Sequence, residues 1–210
     1  MKIKSFAFNP FQVNTYVLYD DTGECVIIDP ACYEPHEEQA LTGFLEEAQL
    51  RPKAILFTHG HVDHILGGQF VCNRYELKPL AHKDVTPFLV NSVEHGRAFG
   101  FDVKKPVMPE TFINEGDTIR FGEQQLAVIL APGHAAGSLC YYHEEAGVLI
   151  AGDVLFQGSI GRTDLPTGDY DTLISSIHHK LMTLPPDVEV FPGHGPSTTI
   201  GYERDHNPFL

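Results

Sequence analysis

The segment Thr58-His59-Gly60-His61-Val62-Asp63-His64 places four side chains that can bind a metal within six residues. It directly follows the apolar run 54–57, and a short apolar run closed by threonine and glycine predicts a buried strand that ends in a loop. Imidazole and carboxylate groups are ligands that suit zinc, iron or manganese. The spacing therefore predicts a metal site in the loop that follows this strand.

The direction of the side chains within this segment indicates two metals rather than one. His59 and His61 alternate along the loop, so both rings can face one point. The apolar residues that follow predict a helix beginning near Asp63, whose first turn carries Asp63 and His64. Because Asp63 and His64 then diverge from the two loop histidines, they favour a second ion beside the first.

Three later apolar runs end in the same way, in a tight glycine or proline turn followed by His134, Asp153 or His194. Ligands at strand ends share one rim of a sheet, and glycine lets the backbone turn close to a metal. Five of the twelve histidines are placed like this, and we assign the other seven to surface or supporting positions. The predicted ligands are His59, His61 and His134 for one metal, Asp63, His64 and His194 for the other, and Asp153 as the bridge.

Seven ligands exceed what one tetrahedral ion takes, so we expect two divalent ions, with zinc preferred over iron or manganese. Two ions about 3.5–4 Å apart can share a water and lower its pKa toward ~7, which presents hydroxide to an electrophile. We therefore assign Asp63 and Asp153 to catalysis as well as to metal binding. Asp29, after an earlier strand, is expected to orient a ligand histidine rather than to bind metal.

Length and composition favour one domain, residues 1–210, with apolar residues at 42% and therefore room for a sizeable core. The formal charge of −14, from 28 acids against 14 bases, repels phosphate backbones and argues against nucleic acid. No apolar run approaches the ~20 residues of a membrane span. Four separated cysteines without a C-x-x-C pair favour a reducing, cytoplasmic location, and the partner we expect is a small molecule.

Hydrophobic patterning predicts two similar halves, each running strands, then a helix, then a strand, which permits a sandwich of two sheets with helices outside. The segment 100–114 has no clear pattern and is predicted to be a surface loop beside the site. The main predicted elements are strands at 3–8, 13–18, 25–28 and 54–57, hairpins about 122–123 and 144–147, a last strand at 188–191, and helices at 35–50, from 63, from 86 toward 99 and from 170 to 181.

These motifs resemble those of metallo-β-lactamase-fold hydrolases, which carry H-x-H-x-D-H, here residues 59–64, and later His, Asp and His ligands in this order. Within that superfamily, the segments 152–164, 193–199 and 207–210 resemble short bacterial proteins of the glyoxalase II-like group. The resemblance covers nearly the whole sequence. It implies an α/β four-layer αββα sandwich and hydrolysis of a glutathione thioester by two metal ions.

Two features differ from full-length glyoxalase II. That enzyme has a C-terminal helical domain with basic residues for glutathione, and a tyrosine shortly after its last histidine ligand, where Gly195, Pro196 and Ser197 stand here. We therefore expect a small acyl thioester of the hydroxyacyl-glutathione type, cleaved by a metal-bridging hydroxide, with glutathione loosely held.

Arg162, in a glycine-rich loop after Asp153, is a candidate for binding a substrate carboxylate. An ion pair with Asp164 or Asp169 is the equal alternative, and Asn14 and Tyr16 are weaker candidates at the same rim.

Two other functions stay open from the sequence. A persulfide dioxygenase of the same fold also carries a G-R-T-D element and uses one iron, which here would match His59, His134 and Asp153. The other is a metal-binding protein without turnover.

Overall fold

The computed structural model describes residues 1–210 and contains two mixed β-sheets. In the first sheet the strands lie in chain order, antiparallel across the first three and parallel across the last three. These strands are β1 (Lys2–Phe8), β2 (Val13–Tyr19), β3 (Glu24–Ile28), β4 (Arg51–Leu56) and β5 (Pro79–Leu80). The predicted strands at 3–8, 13–18 and 25–28 are thus confirmed.

The second sheet has six strands in the order β13-β12-β9-β8-β7-β6, and a separate two-stranded hairpin, β10-β11, follows β9. Strand β12 is parallel to β9, and the other pairings in this sheet are antiparallel. The strands are β6 (Thr118–Phe121), β7 (Gln124–Leu130), β8 (Leu139–His143), β9 (Val148–Gly152), β10 (Leu155–Phe156), β11 (Ser159–Ile160), β12 (Glu189–Pro192) and β13 (Thr198–Thr199).

Six α-helices cover the outer faces of the two sheets. In the first of them, the Glu37 carboxylate accepts a hydrogen bond from the Glu34 N–H at 3.0 Å, and Pro35 occupies the first turn, two features that start a helix. The helices are α1 (Pro35–Glu47), α2 (Val62–Ile65), α3 (Gly68–Tyr75), α4 (Thr86–Ala98), α5 (Tyr170–Ser176) and α6 (Ile200–His206). None of them has the length and apolar character that crossing a bilayer requires.

Alternation along the strands divides the apolar side chains among three layers of core. In β2, Leu18 points between the sheets toward a cluster that includes Phe121 and Tyr141, whereas Val17 points outward to a cluster with Leu41 of α1. A third cluster lies between the second sheet and helices α5 and α6. Helix, sheet, sheet and helix therefore stack in the expected four-layer αββα order.

The helix predicted from Asp63 is two helices, α2 and α3, separated at residues 66–67. At the interruption the N–H of Gly67 donates to the carbonyl of Pro30 at 2.9 Å. The two segments approach closely there, since a Cβ on Gly67 would lie 2.4 Å from the Cys32 sulfur and 2.6 Å from the Cys32 carbonyl oxygen. The predicted late helix also differs, because α5 continues into a π-helical turn, Ile177–Leu181. Residues 100–114 form no helix or strand, as predicted, apart from one bridge between Phe112 and Ala81.

Candidate metal centre

The two sheets meet at the edge where the ligand-bearing strands end. The N–H of Leu139 in the second sheet donates to the carbonyl of Thr58 at 2.7 Å, and the buried Tyr141 hydroxyl donates to the carbonyl of Phe57 at 2.7 Å. The N–H of Gly193 donates to the carbonyl of Gly152 at 2.8 Å, because β12 and β9 run side by side. These bonds bring four separate turns to one rim.

The turn that carries His194 is held by β2 of the opposite sheet. The Asn14 side-chain amide donates to the carbonyls of Pro192 and Gly195, at 3.0 and 2.9 Å. The Asn14 backbone N–H donates to Gly193, and the Tyr16 hydroxyl donates to Pro192 at 2.6 Å. Asn14 and Tyr16, the weaker rim candidates from the sequence, thus bond to the backbone of the turn that positions His194.

Hydrogen bonds fix the tautomer of the buried His59 and His64. The Thr58 hydroxyl donates to an Asp29 carboxylate oxygen at 2.6 Å, so it can only accept at its 3.0 Å contact with Nδ1 of His59. His64 donates from Nδ1 to the same Asp29 oxygen at 2.9 Å. In their neutral form both rings therefore carry the proton on Nδ1, which leaves each Nε2 free to bind a metal at the rim.

His134 and His194 are oriented in the same way by backbone carbonyls. Nδ1 of His134 donates to the carbonyl of Arg162 at 2.8 Å, and Nδ1 of His194 donates to the carbonyl of Phe11 at 2.9 Å. Because a carbonyl oxygen only accepts, Nε2 of each neutral ring is again unprotonated. In contrast, His61 approaches with Nδ1, which lies 2.9 Å from Nε2 of His134.

The candidate ligand atoms form two groups, each with its atoms within 4.8 Å of one another: His59 with His61 and His134, and Asp63 with His64 and His194. In the second group the Nε2 atoms of His64 and His194 are 3.3 Å apart. Two nitrogens bound tetrahedrally to zinc at about 2.0–2.1 Å lie roughly 3.3 Å from each other, so the spacing suits a shared ion.

Asp153 lies between the two groups. One of its oxygens is 3.6 Å from Nε2 of His134 and 3.5 Å from Nε2 of His194, and the other is 3.3 Å from Nε2 of His64. Asp63 faces only the second group, 3.5 Å from His194 and 3.8 Å from His64. Asp153 is therefore within reach of both groups, and Asp63 is within reach of the second group alone.

Two buried atoms at the rim, Nε2 of His59 and Oδ1 of Asp153, have no hydrogen-bond partner. A buried polar group without a partner costs about 1–3 kcal/mol. Imidazole nitrogens within 3.3–3.6 Å of a buried carboxylate form a donor set that suits cations, so the residues fit two divalent ions.

The carboxylates make this rim attractive to positive charge. Burial alone would lower the pKa of His194, but its hydrogen bonds to Asp153 and Asp63 raise the pKa to about 9. Burial would raise the pKa of Asp153, yet the neighbouring His64 and His194 hold it well below the usual range. A metal ion entering the rim meets the same field and displaces protons from the histidines.

Asp29 forms a third group with His59 and His64, but its carboxylate is already occupied. It accepts from the Thr58 N–H at 2.7 Å as well as from the Thr58 hydroxyl and His64. The structure therefore places Asp29 behind the ligands, as the sequence predicts, where it orients His64.

The rim opens into a cavity of about 740 Å³. Its walls include four phenylalanines, Phe11, Phe88, Phe99 and Phe156, together with His95 of α4. No local pattern in the sequence marks these residues, so they were not predicted. The nearest signal is Gly60, where a Cβ would lie 2.6 Å from the Cβ of Phe88, so α4 packs directly on the ligand loop.

Arg162 also lines the cavity, and its guanidinium makes two bonds, 2.8 and 2.7 Å long, to the Asp164 carboxylate. Of the two interpretations from the sequence, the structure contains the ion pair with Asp164. Asp169 is engaged elsewhere, since its carboxylate accepts from the Thr172 N–H at the start of α5.

Comparison with known proteins gives consistent matches over the whole chain. The family model described as the metallo-beta-lactamase superfamily matches residues 8–194. A probable metallo-hydrolase, YqgX of Bacillus subtilis, is 38% identical over 100% of this chain and 98% of its own length. The hydroxyacylglutathione hydrolase GloC of Haemophilus influenzae is 37% identical, with coverage of 100% and 98%.

Two solved structures are similar in both sequence and fold. The BLEG-1 B3 metallo-beta-lactamase superposes with a TM-score of 0.91 at 39% identity, covering 100% of this chain and 99% of its own. TTHA1623 in a di-iron-bound form superposes with a TM-score of 0.89 at 36% identity, covering 99% and 100%.

Proposed function

Because this chain belongs to the metallo-beta-lactamase superfamily, we propose that it hydrolyses a small acyl thioester of the hydroxyacyl-glutathione type with two bound metal ions. The observation that carries the proposal is the pair of ligand groups joined by Asp153. GloC, whose name describes hydroxyacylglutathione hydrolysis, supports the substrate class through 37% identity along the full chain. We assign residues 1–210 to one hydrolase domain.

In this proposal His59, His61 and His134 would hold one ion, Asp63, His64 and His194 would hold the other, and Asp153 would serve as the bridge. We propose zinc before iron or manganese, although the similarity to a di-iron-bound structure keeps iron a direct candidate. When bound, the two ions lower the pKa of a shared water toward ~7 and polarise a carbonyl oxygen.

The residues of the chain contribute charge balance and orientation. Asp63 and Asp153 offset the positive charge at the rim, and Asp63 borders the cavity, where it can accept a hydrogen bond from a water. The carbonyls of Phe11 and Arg162 keep the protons of His194 and His134 away from the rim. A thiol of pKa ~8.5 leaves as thiolate without a strong general acid, which suits a rim whose side chains are occupied by ligation.

Arg162 stays our candidate for contact with a substrate carboxylate. Its position on the cavity wall supports this role, and its pairing with Asp164 means that such a substrate must compete for the guanidinium.

The persulfide dioxygenase is the second candidate, because His59, His134 and Asp153 alone could hold one iron. The complete second group of Asp63, His64 and His194 favours the hydrolase, since a mononuclear site leaves those lone pairs unused.

The experiment is cleavage of lactoyl-glutathione by metal-loaded protein under anaerobic conditions, run beside oxygen uptake with glutathione persulfide. Hydrolysis needs no O₂, so we expect cleavage to persist, with a high KM because glutathione is loosely held. Asp153→Asn should abolish it, and Asp205→Asn, at an exposed position outside the cavity, is the matched control. Oxygen uptake with persulfide and no anaerobic cleavage, under zinc or iron, would overturn the proposal.

A further inference from the structure

Aromatic rings stand directly against the candidate ligands. The ring of Phe88 contacts His61 edge-on, with centroids 5.5 Å apart, and the ring of Phe156 lies 6.3 Å from that of His194. Phe11 belongs to the same wall, since its carbonyl accepts the Nδ1 proton of His194. Any substrate group that extends from the rim into the cavity therefore contacts these aromatic rings first.

Part of this wall is exposed yet supported from behind. Phe11 and Phe99 are 43% and 59% exposed, and their rings meet edge-on at 5.9 Å. Phe11 also packs on the buried Phe101 at 5.6 Å, which in turn contacts Tyr33 at 5.1 Å. Two large apolar side chains held at a cavity mouth by a buried stack suit an apolar ligand.

The loop that carries Phe11 is fastened to the metal centre. The Asn9 side-chain amide donates to the carbonyl of Asp63 at 3.0 Å and to that of Ala31 at 3.1 Å. These bonds fix the Phe11 loop relative to the metal-binding side chains before substrate arrives. Little conformational entropy is therefore lost when a substrate covers the wall.

The charges of the cavity offer little to an anionic substrate. Arg162 is the only lysine or arginine in its lining, and Asp164 already pairs with it. The whole chain carries a formal charge of −14. The carboxylates of a glutathione portion must therefore compete with Asp164 for Arg162, whereas a hydrocarbon group can cover aromatic surface that is otherwise exposed to water.

We propose that this cavity selects thioesters that carry a hydrocarbon substituent of several carbons beside the reacting carbonyl, with Phe11 and Phe99 as the residues that determine specificity. The inference rests on the proposed thioester hydrolysis and narrows its substrate class. The substituent fills the space between α4 and the Phe11 loop and covers both exposed rings.

The activity test uses two thioester series with the metal-loaded protein. One series keeps glutathione and lengthens the acyl group from acetyl to butanoyl and hexanoyl, and the other keeps acetyl and lengthens a simple alkanethiol. We expect kcat/KM to rise by about fourfold per methylene in one series, as hydrocarbon burial predicts. The series that rises identifies whether the acyl or the thiol portion lies on the wall.

Variants of the wall residues test which side chains cause the rise in kcat/KM. In Phe99→Ala, kcat/KM should no longer rise with chain length. In Phe99→Leu most of the rise should remain, because leucine keeps apolar surface. Phe112→Ala is the matched control, since Phe112 has the same 43% exposure as Phe11 but lies outside the cavity. Flat series for the unmodified protein, with thioesters still cleaved, would overturn the inference and leave the proposed function intact. Failure to cleave any thioester would overturn the function itself.

A binding measurement separates recognition from turnover. S-hexylglutathione and S-methylglutathione are thioethers that the protein cannot hydrolyse, and calorimetry measures their affinity. We expect the hexyl compound to bind at least about tenfold more tightly, the gain of burying one or two methylenes. The difference should shrink in Phe99→Ala and persist in Phe112→Ala. Equal affinities in an unmodified protein whose acyl series rises would contradict the inference.

Discussion

Replacing Asp29 with asparagine changes one atom in the buried network behind His64. Asp29 is 2% exposed, and its carboxylate accepts from the Thr58 N–H, the Thr58 hydroxyl and Nδ1 of His64. In Asp29→Asn an amide NH₂ takes the place of the oxygen that His64 and the hydroxyl share. The hydroxyl can turn to accept from this amide, but the Nδ1 proton of His64 then faces a donor.

The size of the effect follows from that lost bond. A hydrogen bond to a charged group contributes about 1.5–3 kcal/mol, so the free energy of unfolding should fall by that amount. His64 can avoid the conflict by moving its proton to Nε2, which removes the lone pair that the second ion needs. Loss of such a supporting partner typically weakens metal binding about 10–100-fold.

The assay is a metal titration of the metal-free protein, followed by calorimetry, beside denaturant unfolding. We expect one binding step to weaken about 10–100-fold and the step assigned to His59, His61 and His134 to be retained. Asp20→Asn is the control, because Asp20 is also buried and hydrogen-bonded but touches no candidate ligand. Unchanged metal affinity in Asp29→Asn, or an equal loss in Asp20→Asn, would refute this account of how His64 is oriented.

Three further outcomes are expected. Asp153→Ala should weaken the binding of both ions, whereas Asp63→Ala should chiefly weaken the binding of one, as metal analysis of each purified variant would show. Retention of two ions in Asp153→Ala would contradict the role of Asp153 as the bridge. Gly193→Ala should lose metal because its Cβ would lie 2.1 Å from an Asp153 oxygen, whereas Gly43→Ala, with no atom within 4 Å, should bind metal normally. Burial alone would raise the pKa of the Asp20 carboxyl, but hydrogen bonds lower it to about 2. The decrease in unfolding free energy caused by Asp20→Asn should therefore be largest at pH 7 and become smaller from about pH 4 toward pH 2, as urea unfolding would measure. A decrease that does not depend on pH would contradict the lowered pKa.

The strands and the candidate ligands were predictable because their signals are local. Each ligand follows an apolar run and a glycine or proline turn, and strands that end at one edge bring such turns together. The alternation within β2 likewise predicts which side chains point to each layer of core.

Other features arise only when distant segments meet. At the break between α2 and α3, Gly67 bonds to the carbonyl of Pro30 and lies against Cys32, contacts between distant residues that no helical pattern contains. The cavity wall combines Phe11 of the β1–β2 loop with Phe99 beyond α4. The tautomers of the histidines depend on backbone carbonyls, which every residue carries, so sequence alone cannot select the carbonyl of Phe11 or Arg162.

The most direct test of the account is the number of ions that one chain holds. Protein reconstituted with excess zinc, iron or manganese and then desalted should contain close to two metal equivalents per chain by elemental analysis, because two groups of unprotonated ligands share Asp153. A firm plateau at one equivalent with every metal would contradict the binuclear site and favour the dioxygenase.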